Sequence, residues 1–203
     1  MNINHFSPIA IHAVFPICSH DTLRKYFESI DHQILKSLLK QVFKDKNLLE
    51  LMDIIINHKT PNNFLEKGLP IGNLTSQHFA NFYLGELDHF IKDQSQIKGY
   101  VRYMDDFISF SNDKEDLQKL LVDIREFVNK NLKLELKEKV TTIAPVSEGI
   151  PFLGFRVFPQ IIRIKRENLI QTRNPEKLKL NTKLFNDDPS SRAKLATGRV
   201  VVK

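Results

Sequence analysis

Cysteine is almost absent from this 203-residue chain, and tryptophan is absent altogether. Because Cys18 is the one cysteine, the chain can form no internal disulfide and no zinc site built from cysteines. A reducing compartment, the cytoplasm, is therefore the simplest expectation. No apolar run approaches the roughly 20 residues of a membrane span. Residues 8–18 lack the basic leader of a signal peptide, so we expect neither a membrane anchor nor secretion.

Lysine and arginine are missing from the first 20 residues, although the whole chain has 30 of them against 24 acidic residues. The formal net charge of +6 suits a polyanionic partner such as nucleic acid. Basic residues are frequent beyond Arg163, where Pro175 and Pro189 interrupt the chain, and we predict a short helix and then a mobile tail. The hydrophobic fraction of 41% is typical of a folded domain with one sizeable core.

The spacing of apolar residues predicts helices over about residues 34–43, 48–56, 75–91 and 115–129. Ser29 or Asp31 offers an N-cap for the first of them. Short apolar segments predict strands over residues 22–27, 132–136 and 140–143, and a hairpin around Phe152–Phe155. Helices segregated against a small antiparallel sheet make an α+β domain.

The segment Tyr103-Met-Asp-Asp106 is the most informative part of the chain. Apolar strand-forming residues lie on both sides of its two adjacent carboxylates, a pattern that predicts a β-hairpin with an acidic tip. Carboxylate oxygens are the ligands that Mg²⁺ prefers. Two such cations about 3.5–4 Å apart can activate an attacking oxygen and stabilise a leaving one. An ordinary acidic turn is the alternative, since Asp is a common turn residue.

Several further segments accompany this tetrad in a fixed order. They are Arg24-Lys-Tyr-Phe27, Ser29-Ile-Asp-His32, Gly68-Leu-Pro-Ile-Gly-Asn-Leu-Thr-Ser-Gln77 and Phe152-Leu-Gly-Phe155. With the tetrad they resemble the palm of a reverse transcriptase over about residues 21–168. The resemblance implies an α+β polymerase palm, with a small antiparallel sheet packed on helices. It divides the chain into an unassigned segment 1–20, a palm 21–168 and a basic helix or tail 169–203 that is a remnant of the thumb. The fingers would be largely missing.

Within that family, the chain is most similar to enzymes of diversity-generating retroelements. Most reverse transcriptases have Gln-Gly at the start of the third-helix motif and Ser-Pro near its end, whereas this chain has Ile71-Gly72 and Ser76-Gln77. The resemblance implies an enzyme that copies a template RNA with errors at adenines. Group II intron and retron enzymes are the nearest alternatives.

The implied activity is RNA-directed DNA polymerisation by two-metal nucleotidyl transfer, from a deoxynucleoside triphosphate to a primer 3′-hydroxyl. Asp105 and Asp106 would bind Mg²⁺ or Mn²⁺. Asp21 is the candidate for a third metal-binding carboxylate, but the spacing of the family puts that position on Thr22. In a strand, a shift of one residue turns a side chain to the opposite face.

The resemblance also assigns contacts with the nucleotide or template to four positions: Arg24, Phe27, Gly72 and Gln77. Phe27 would exclude a 2′-hydroxyl by steric clash. Gly154 and Phe155 would grip the primer end, and Lys139, with Lys137 as the second candidate, would protonate the leaving pyrophosphate. Core packing of Phe27, a plain turn at Gly72 and an ordinary surface position for the lysines are the alternatives.

The partners implied by the resemblance are an RNA template, a DNA primer, a deoxynucleoside triphosphate and a small basic accessory protein, with no membrane. Two other functions remain open at this point. One is a truncated, inactive palm that only binds nucleic acid. The other is a metal-free interaction module that docks through its β-sheet.

Overall fold

The structure, a computed structural model, describes residues 15–58, 66–138, 140–159 and 161–164. Within these residues the chain forms two compact units that interleave along the sequence. The first contains residues 15–20, 97–117 and 142–164, and the second contains residues 21–96 and 118–141. The predicted basic helix and tail, and residues 1–14, lie outside the described residues.

The first unit is built on two small antiparallel sheets. Its larger sheet contains β1 (Ile17–Thr22), β2 (Gly99–Tyr103), β3 (Asp106–Ser111) and β4 (Thr142–Pro145), in the order β2-β3-β1-β4. The last two residues of β1 belong to the second unit. A 3₁₀ turn at Val146–Glu148 leads to the smaller sheet, which contains β5 (Ile150–Phe152), β6 (Phe155–Val157) and β7 (Ile162–Ile164) in sequence order.

An apolar cluster forms the core of the first unit. Its buried members are Cys18, Val101, Ile108, Phe110, Val146 and Ile150, and Phe15 and Phe152 pack against it. Gly99 lets the backbone of β2 approach this cluster closely, because a Cβ atom there would lie 2.7 Å from Cβ of Phe110 and 3.0 Å from the Phe15 ring. The strands therefore pack together through their apolar residues, most of which are the β-branched or aromatic types that favour strands.

Helices dominate the second unit. They are α1 (Tyr26–Ser29), α2 (His32–Val42), α3 (Lys46–Ile56), α4 (Leu74–Tyr83), α5 (Gly85–His89), a π-helical turn (Phe90–Gln94) and α6 (Lys114–Leu132), which begins in the first unit. Tyr83 is fully buried, and its hydroxyl donates a hydrogen bond to the carbonyl of Leu132 at 2.7 Å. The rings of Phe90 and Phe127 stack with centroids 4.3 Å apart. These contacts attach α6 to the other helices of this unit.

Asp31 is the N-cap of α2, as its sequence position predicts. Its Oδ1 accepts hydrogen bonds from the amides of Gln33 and Ile34, and Nζ of Lys133 donates to its Oδ2 at 2.8 Å. Burial by itself raises the pKa of Asp31, but the Lys133 hydrogen bond, the two amides and the lysine charge outweigh it, so the pKa lies below its ordinary value. Asp31 thus links α2 to the chain that follows α6.

Replacing Asp31 with alanine is expected to lower the free energy of unfolding by about 1 kcal/mol at pH 7, because the cap is lost.

The stabilising effect of Asp31 is also expected to depend on pH. A carboxyl group whose pKa is lowered by folding stabilises the protein above its unfolded pKa of about 4, and this contribution disappears as the pH falls through the folded pKa. Urea unfolding should therefore show a difference between wild type and Asp31→Asn that shrinks from pH 7 to pH 3. Asp45→Asn, at the exposed cap of α3, is the matched control. An equal pH response in both variants would contradict the prediction.

Two strand predictions are wrong, whereas both hairpins and the four long helical segments are confirmed. Residues 22–27 are not a strand, because β1 ends at Thr22 and the helix α1 begins at Tyr26, after Lys25 in a left-handed conformation. Residues 132–136 are not a strand either: α6 continues to Leu132, and Leu136 makes only an isolated bridge to Leu23. Within the described ranges, every helix is too short or too polar to span a bilayer.

Candidate active site

The acidic turn between β2 and β3 is the centre of the candidate site. Tyr103 pairs with Asp106, so Met104 and Asp105 form a two-residue loop, and Met104 has the positive φ of 55° that such hairpin turns require. Asp105 and Asp106 are both partly exposed. The structure confirms the predicted hairpin with two adjacent carboxylates at its tip.

A buried arginine is hydrogen-bonded to the backbone of this turn. Arg102 is fully buried in β2, and its Nη1 donates a hydrogen bond of 3.0 Å to the carbonyl oxygen of Met104. Because arginine remains protonated at any ordinary pH, it brings a permanent positive charge to the base of the acidic loop. We did not identify Arg102 from the sequence. A charged residue within an otherwise apolar predicted strand was the signal that could have indicated it.

His20 is a second residue that sequence analysis did not identify. Its Nε2 lies 4.0 Å from Oδ1 of Asp106, and the two side chains are 10% and 33% exposed. The Phe152 ring packs against the imidazole edge-on, with centroids 6.5 Å apart. The imidazole therefore lies beside one of the two carboxylates at the hairpin tip.

Asp21 follows His20 in β1 and is also buried, at 1% exposed. Since neighbouring residues in a strand point to opposite faces, His20 and Thr22 share one face of β1 and Asp21 lies on the other. Asp21 is the first residue of the second unit, and its assignment as a third metal-binding carboxylate stays a prediction. Among the residues that the structure describes, no three His, Cys, Asp or Glu side chains converge as a metal-binding group.

The donor set at the hairpin tip nevertheless fits Mg²⁺ or Mn²⁺, the cations that the resemblance implies. Mg²⁺ is commonly held by only one or two carboxylates, with water and substrate phosphates as the other ligands. Asp105 and Asp106 supply two adjacent carboxylates, and Asp106 is one third exposed. Arg102 adds a buried positive charge that is hydrogen-bonded to the backbone of the same loop.

A second hairpin presents the residues assigned to the primer end. Phe152 pairs with Phe155, and the two residues between them, Leu153 and Gly154, have φ values of 51° and 82°. Two positive φ values in succession define a type I′ turn, in which glycine is favoured because it has no Cβ. Leu153 is 43% exposed at this tip. The roles of Gly154 and Phe155 in holding a primer stay predictions.

In the second unit, the Phe27 segment is joined to the glycine-rich segment by hydrogen bonds. The amide of Leu69 donates to the carbonyl of Phe27 and that of Gly68 to Ile30, each at 2.8 Å. His32 Nε2 lies 2.7 Å from the carbonyl oxygen of Gly68. The ring of Phe27 is only partly buried. The segment of Phe27, the residue predicted to exclude a 2′-hydroxyl, is thus hydrogen-bonded to the glycine-rich segment, and the two form one connected element.

Gly72 lies in an open turn before α4. Its φ is +99°, and a Cβ atom built there would meet no atom within 4 Å. Its neighbour Ile71 is 76% exposed. Gln77, in the first turn of α4, is partly exposed, and its amide donates to the carbonyl of Asn73. Gly72 is therefore required by the backbone conformation, and the turn is accessible to a ligand.

The remaining predicted residues are less informative. Arg24 is exposed and pairs with Glu135 at 3.3 Å, a surface ion pair that contributes at most about 1 kcal/mol. Lys137 is exposed, and its amide donates to the carbonyl of Thr22 at 2.8 Å. Lys139 lies outside the described residues.

Comparison with known proteins gives relatives over most of the chain. The group II intron-encoded protein LtrA of Lactococcus lactis is 24% identical over 216 aligned positions, which cover 71% of this chain and 34% of LtrA. A putative COX1/OXI3 intron 2 protein of Saccharomyces cerevisiae is 23% identical, and its alignment covers 78% of this chain and 26% of the yeast protein. Protein YkfC of Escherichia coli is also 23% identical, with coverages of 76% and 50%. The chain thus spans between a quarter and one half of these relatives.

Solved structures share the fold. Telomerase from Candida tropicalis, in a complex with a fragment of telomeric RNA, superposes with a TM-score of 0.56 at 13% identity, over 77% of this chain and 30% of that one. The unliganded telomerase gives a TM-score of 0.57 at 12% identity, over 75% and 33%. The family described as reverse transcriptase (RNA-dependent DNA polymerase) matches residues 17–157, which include both hairpins and the glycine-rich turn. This chain belongs to the reverse transcriptase family.

Proposed function

We propose that this chain is the palm of an RNA-directed DNA polymerase, which extends a DNA primer on an RNA template. The observation that carries the proposal is the pair of adjacent carboxylates, Asp105 and Asp106, at the tip of a hairpin supported by Arg102. The family match supports a catalytic role for this acidic tip over the alternative of an ordinary turn. RNA in the complex with the similar telomerase fold supports an RNA template.

In the first unit, Asp105 and Asp106 would hold Mg²⁺ or Mn²⁺ against the triphosphate of the incoming deoxynucleotide. The cations supply charge neutralisation and a more acidic primer hydroxyl when bound. Arg102 keeps the loop in one conformation, so that little reorganisation is needed when the ligands arrive. Gly154 and Phe155, at the second hairpin, would hold the primer end.

In the second unit, Phe27 would discriminate against a ribose 2′-hydroxyl, and the turn at Gly72 would let backbone approach the new base pair. The hydrogen bonds between the segments of Phe27 and Gly68 support this pairing of roles, since they keep both segments in one element. Gln77 and Arg24 would contact the template or nucleotide. Asp21 remains a candidate for a further carboxylate ligand, and Lys139 or Lys137 for the proton donor to pyrophosphate.

We further propose that the enzyme belongs to a diversity-generating retroelement and works with a small basic accessory protein. Ile71-Gly72 and Ser76-Gln77 support this assignment within the family. A group II intron or retron type is the second candidate, which the similarity to LtrA supports. The two types differ in a measurable way, because errors concentrated at template adenines are expected only for the first.

A palm that binds nucleic acid without catalysing polymerisation is favoured by one observation: Thr22 occupies the position of the first carboxylate in the family. Primer extension by the chain on a poly(rA) template with an oligo(dT) primer, dTTP and Mg²⁺ distinguishes the two functions. We expect measurable extension by the wild type and at least a tenfold increase in Thr22→Asp, because another carboxylate strengthens cation binding.

Asn112→Asp, which adds a carboxylate at an exposed position of the first unit, is the control and should leave the rate unchanged. Filter binding of the same primed template is measured in parallel. If neither the wild type nor Thr22→Asp extends the primer while both bind it, the polymerase proposal fails and the binding function stands.

A further inference from the structure

The smaller sheet of the first unit has one apolar face and one charged face. Ile150 and Phe152 pack in the apolar core of this unit, and Val157, which pairs with Ile150, is buried on the same face. Because side chains alternate along a strand, Arg156 lies on the opposite face. Arg163 pairs with Arg156 across β6 and β7, and both arginines are exposed. Two arginines therefore lie side by side on the solvent face of this sheet.

Like charges at directly opposite positions of two strands repel one another. The Cβ atoms of such a pair are about 4.5–5.5 Å apart, and the repulsion destabilises the sheet. Within the described parts of the chain, neither Arg156 nor Arg163 forms an ion pair with an acidic side chain. A bound anion would relieve the repulsion, which indicates that the pair serves a ligand and not the stability of the sheet.

The turn at Glu148 and Gly149 orients both guanidinium groups. Nε of Arg156 donates a hydrogen bond of 3.1 Å to the carbonyl oxygen of Glu148. The Phe158 ring packs against Gly149, where a Cβ atom would lie 2.6 Å from the ring. The guanidinium carbon of Arg163 lies 5.1 Å from the centroid of that ring, which is a cation–π contact. Two arginines that are oriented in advance lose less side-chain freedom when a ligand binds.

The chemistry of the pair selects phosphate oxygens. A guanidinium group presents N–H donors in a rigid plane that matches the geometry of a phosphate. Only Nε of Arg156 is used by the Glu148 carbonyl, so its terminal nitrogens can donate to a ligand. Successive phosphates of a nucleic-acid strand follow at about 3.4 Å along the helix axis, a spacing of the same order as that between opposite side chains in a sheet. The pair therefore fits two neighbouring phosphates of one strand.

We propose that Arg156 and Arg163 bind two neighbouring phosphates of the primed template on the solvent face of the smaller sheet. This inference deepens the proposed function, on which it rests for the identity of the polyanion. Phe155, which is assigned to the primer end, lies on the other face of β6, so the phosphate site is separate from that assignment. Because phosphate contacts contain no sequence information, the site would hold any sequence.

Filter binding of an RNA template annealed to a DNA primer, over a range of salt concentrations, tests the inference. Each neutralised phosphate releases counterions, so the logarithm of the affinity falls with the logarithm of the salt concentration by about 0.9 per contact. We expect Arg156→Gln and Arg163→Gln each to lower the affinity about tenfold at low salt and to make the slope shallower by about 1. Arg156→Lys should restore the slope but only part of the affinity, because lysine keeps the charge without the planar fork.

Neutral methylphosphonate linkages, placed one at a time in the primer and in a second series in the template strand, identify the phosphates. In the wild type, two adjacent linkages of one strand should each weaken binding. Arg163→Gln should be insensitive to one of them and Arg156→Gln to the other. A residue that only supports the fold produces no such position-specific loss, and circular dichroism verifies folding of each variant.

Arg125→Gln, which removes the same charge from an exposed position of α6, is the matched control and should keep the wild-type slope. An unchanged slope in the Arg156 and Arg163 variants, an equal change in Arg125→Gln, or a lack of adjacent sensitive linkages would overturn the inference. Primer extension in Mg²⁺ is measured on the same samples. Binding that depends on both arginines in a chain without extension counts against the polymerase proposal and leaves this site standing, whereas extension by the wild type with unchanged binding in the variants does the reverse.

Discussion

Replacing Asp105 with asparagine is expected to reduce the rate of primer extension by roughly a thousandfold. Asparagine preserves the size of the side chain and the two-residue loop, in which Met104 has a φ of 55°, but it removes the charge. Cations at such sites stabilise the transition state of phosphoryl transfer by several kcal/mol, and each 1.4 kcal/mol or so corresponds to a factor of ten. The hairpin itself should persist, because the hydrogen bond from Arg102 goes to the backbone of the loop, at the carbonyl of Met104.

Steady-state extension of a labelled primer, at saturating primed template, measures this effect. Asp123→Asn, at an exposed position of α6, removes the same charge elsewhere and is expected to leave the rate within twofold. Titration with Mn²⁺, followed through the relaxation of water protons, reports cation binding without turnover. Extension by Asp105→Asn at more than a tenth of the wild-type rate, with unchanged Mn²⁺ binding, would remove Asp105 from the candidate site.

Replacing Phe107 with alanine is expected to lower the free energy of unfolding by about 3–5 kcal/mol. Phe107 follows Asp106 in β3, is fully buried and lies with its ring centroid 6.2 Å from that of Tyr100. The substitution removes a large apolar side chain and leaves a cavity that the neighbouring strands fill only in part. Since most domains are stable by only about 5–15 kcal/mol, much of the stability would be lost.

Urea unfolding followed by circular dichroism measures this loss. Phe107→Leu, which retains much of the apolar volume, should lie between the alanine variant and the wild type. Val122→Ala on α6 removes apolar atoms from a residue that is 60% exposed, and it should change the stability by no more than about 0.5 kcal/mol. A loss below about 1 kcal/mol in Phe107→Ala would show that β3 is not part of the cooperative core.

The elements predicted correctly from the sequence are those whose signals are local. The hairpin at Met104 and Asp105 follows from apolar strand-forming residues on both sides of two adjacent carboxylates, and that at Leu153 and Gly154 from a glycine close to two phenylalanines. Asp31 caps α2 because its side chain needs only the amides two and three residues further along the chain. These structures depend on neighbouring residues, so a short window of sequence contains the information.

The strand β1 shows why other features were not predicted. Its central residues Ser19, His20 and Asp21 are polar and buried, so they lack the apolar alternation by which strands are identified. The strand forms because Ile17 and Cys18 pair with Pro145 and Ala144 of β4, more than a hundred residues later. The residues near β1 in the sequence do not indicate which distant segment will pair with it. The prediction that shifted the strand to residues 22–27 followed the apolar residues instead.

The amino-acid sequence by itself determined the family of this chain. It also determined that two adjacent carboxylates lie at a hairpin tip, because turn and strand preferences act over a few residues. Only the tertiary structure decided that Arg102 supports this turn from a buried position and that His20 meets Asp106. Both contacts depend on which strands pair and on which face of each strand a side chain lies, and pairing between distant segments is set by the packing of the whole unit.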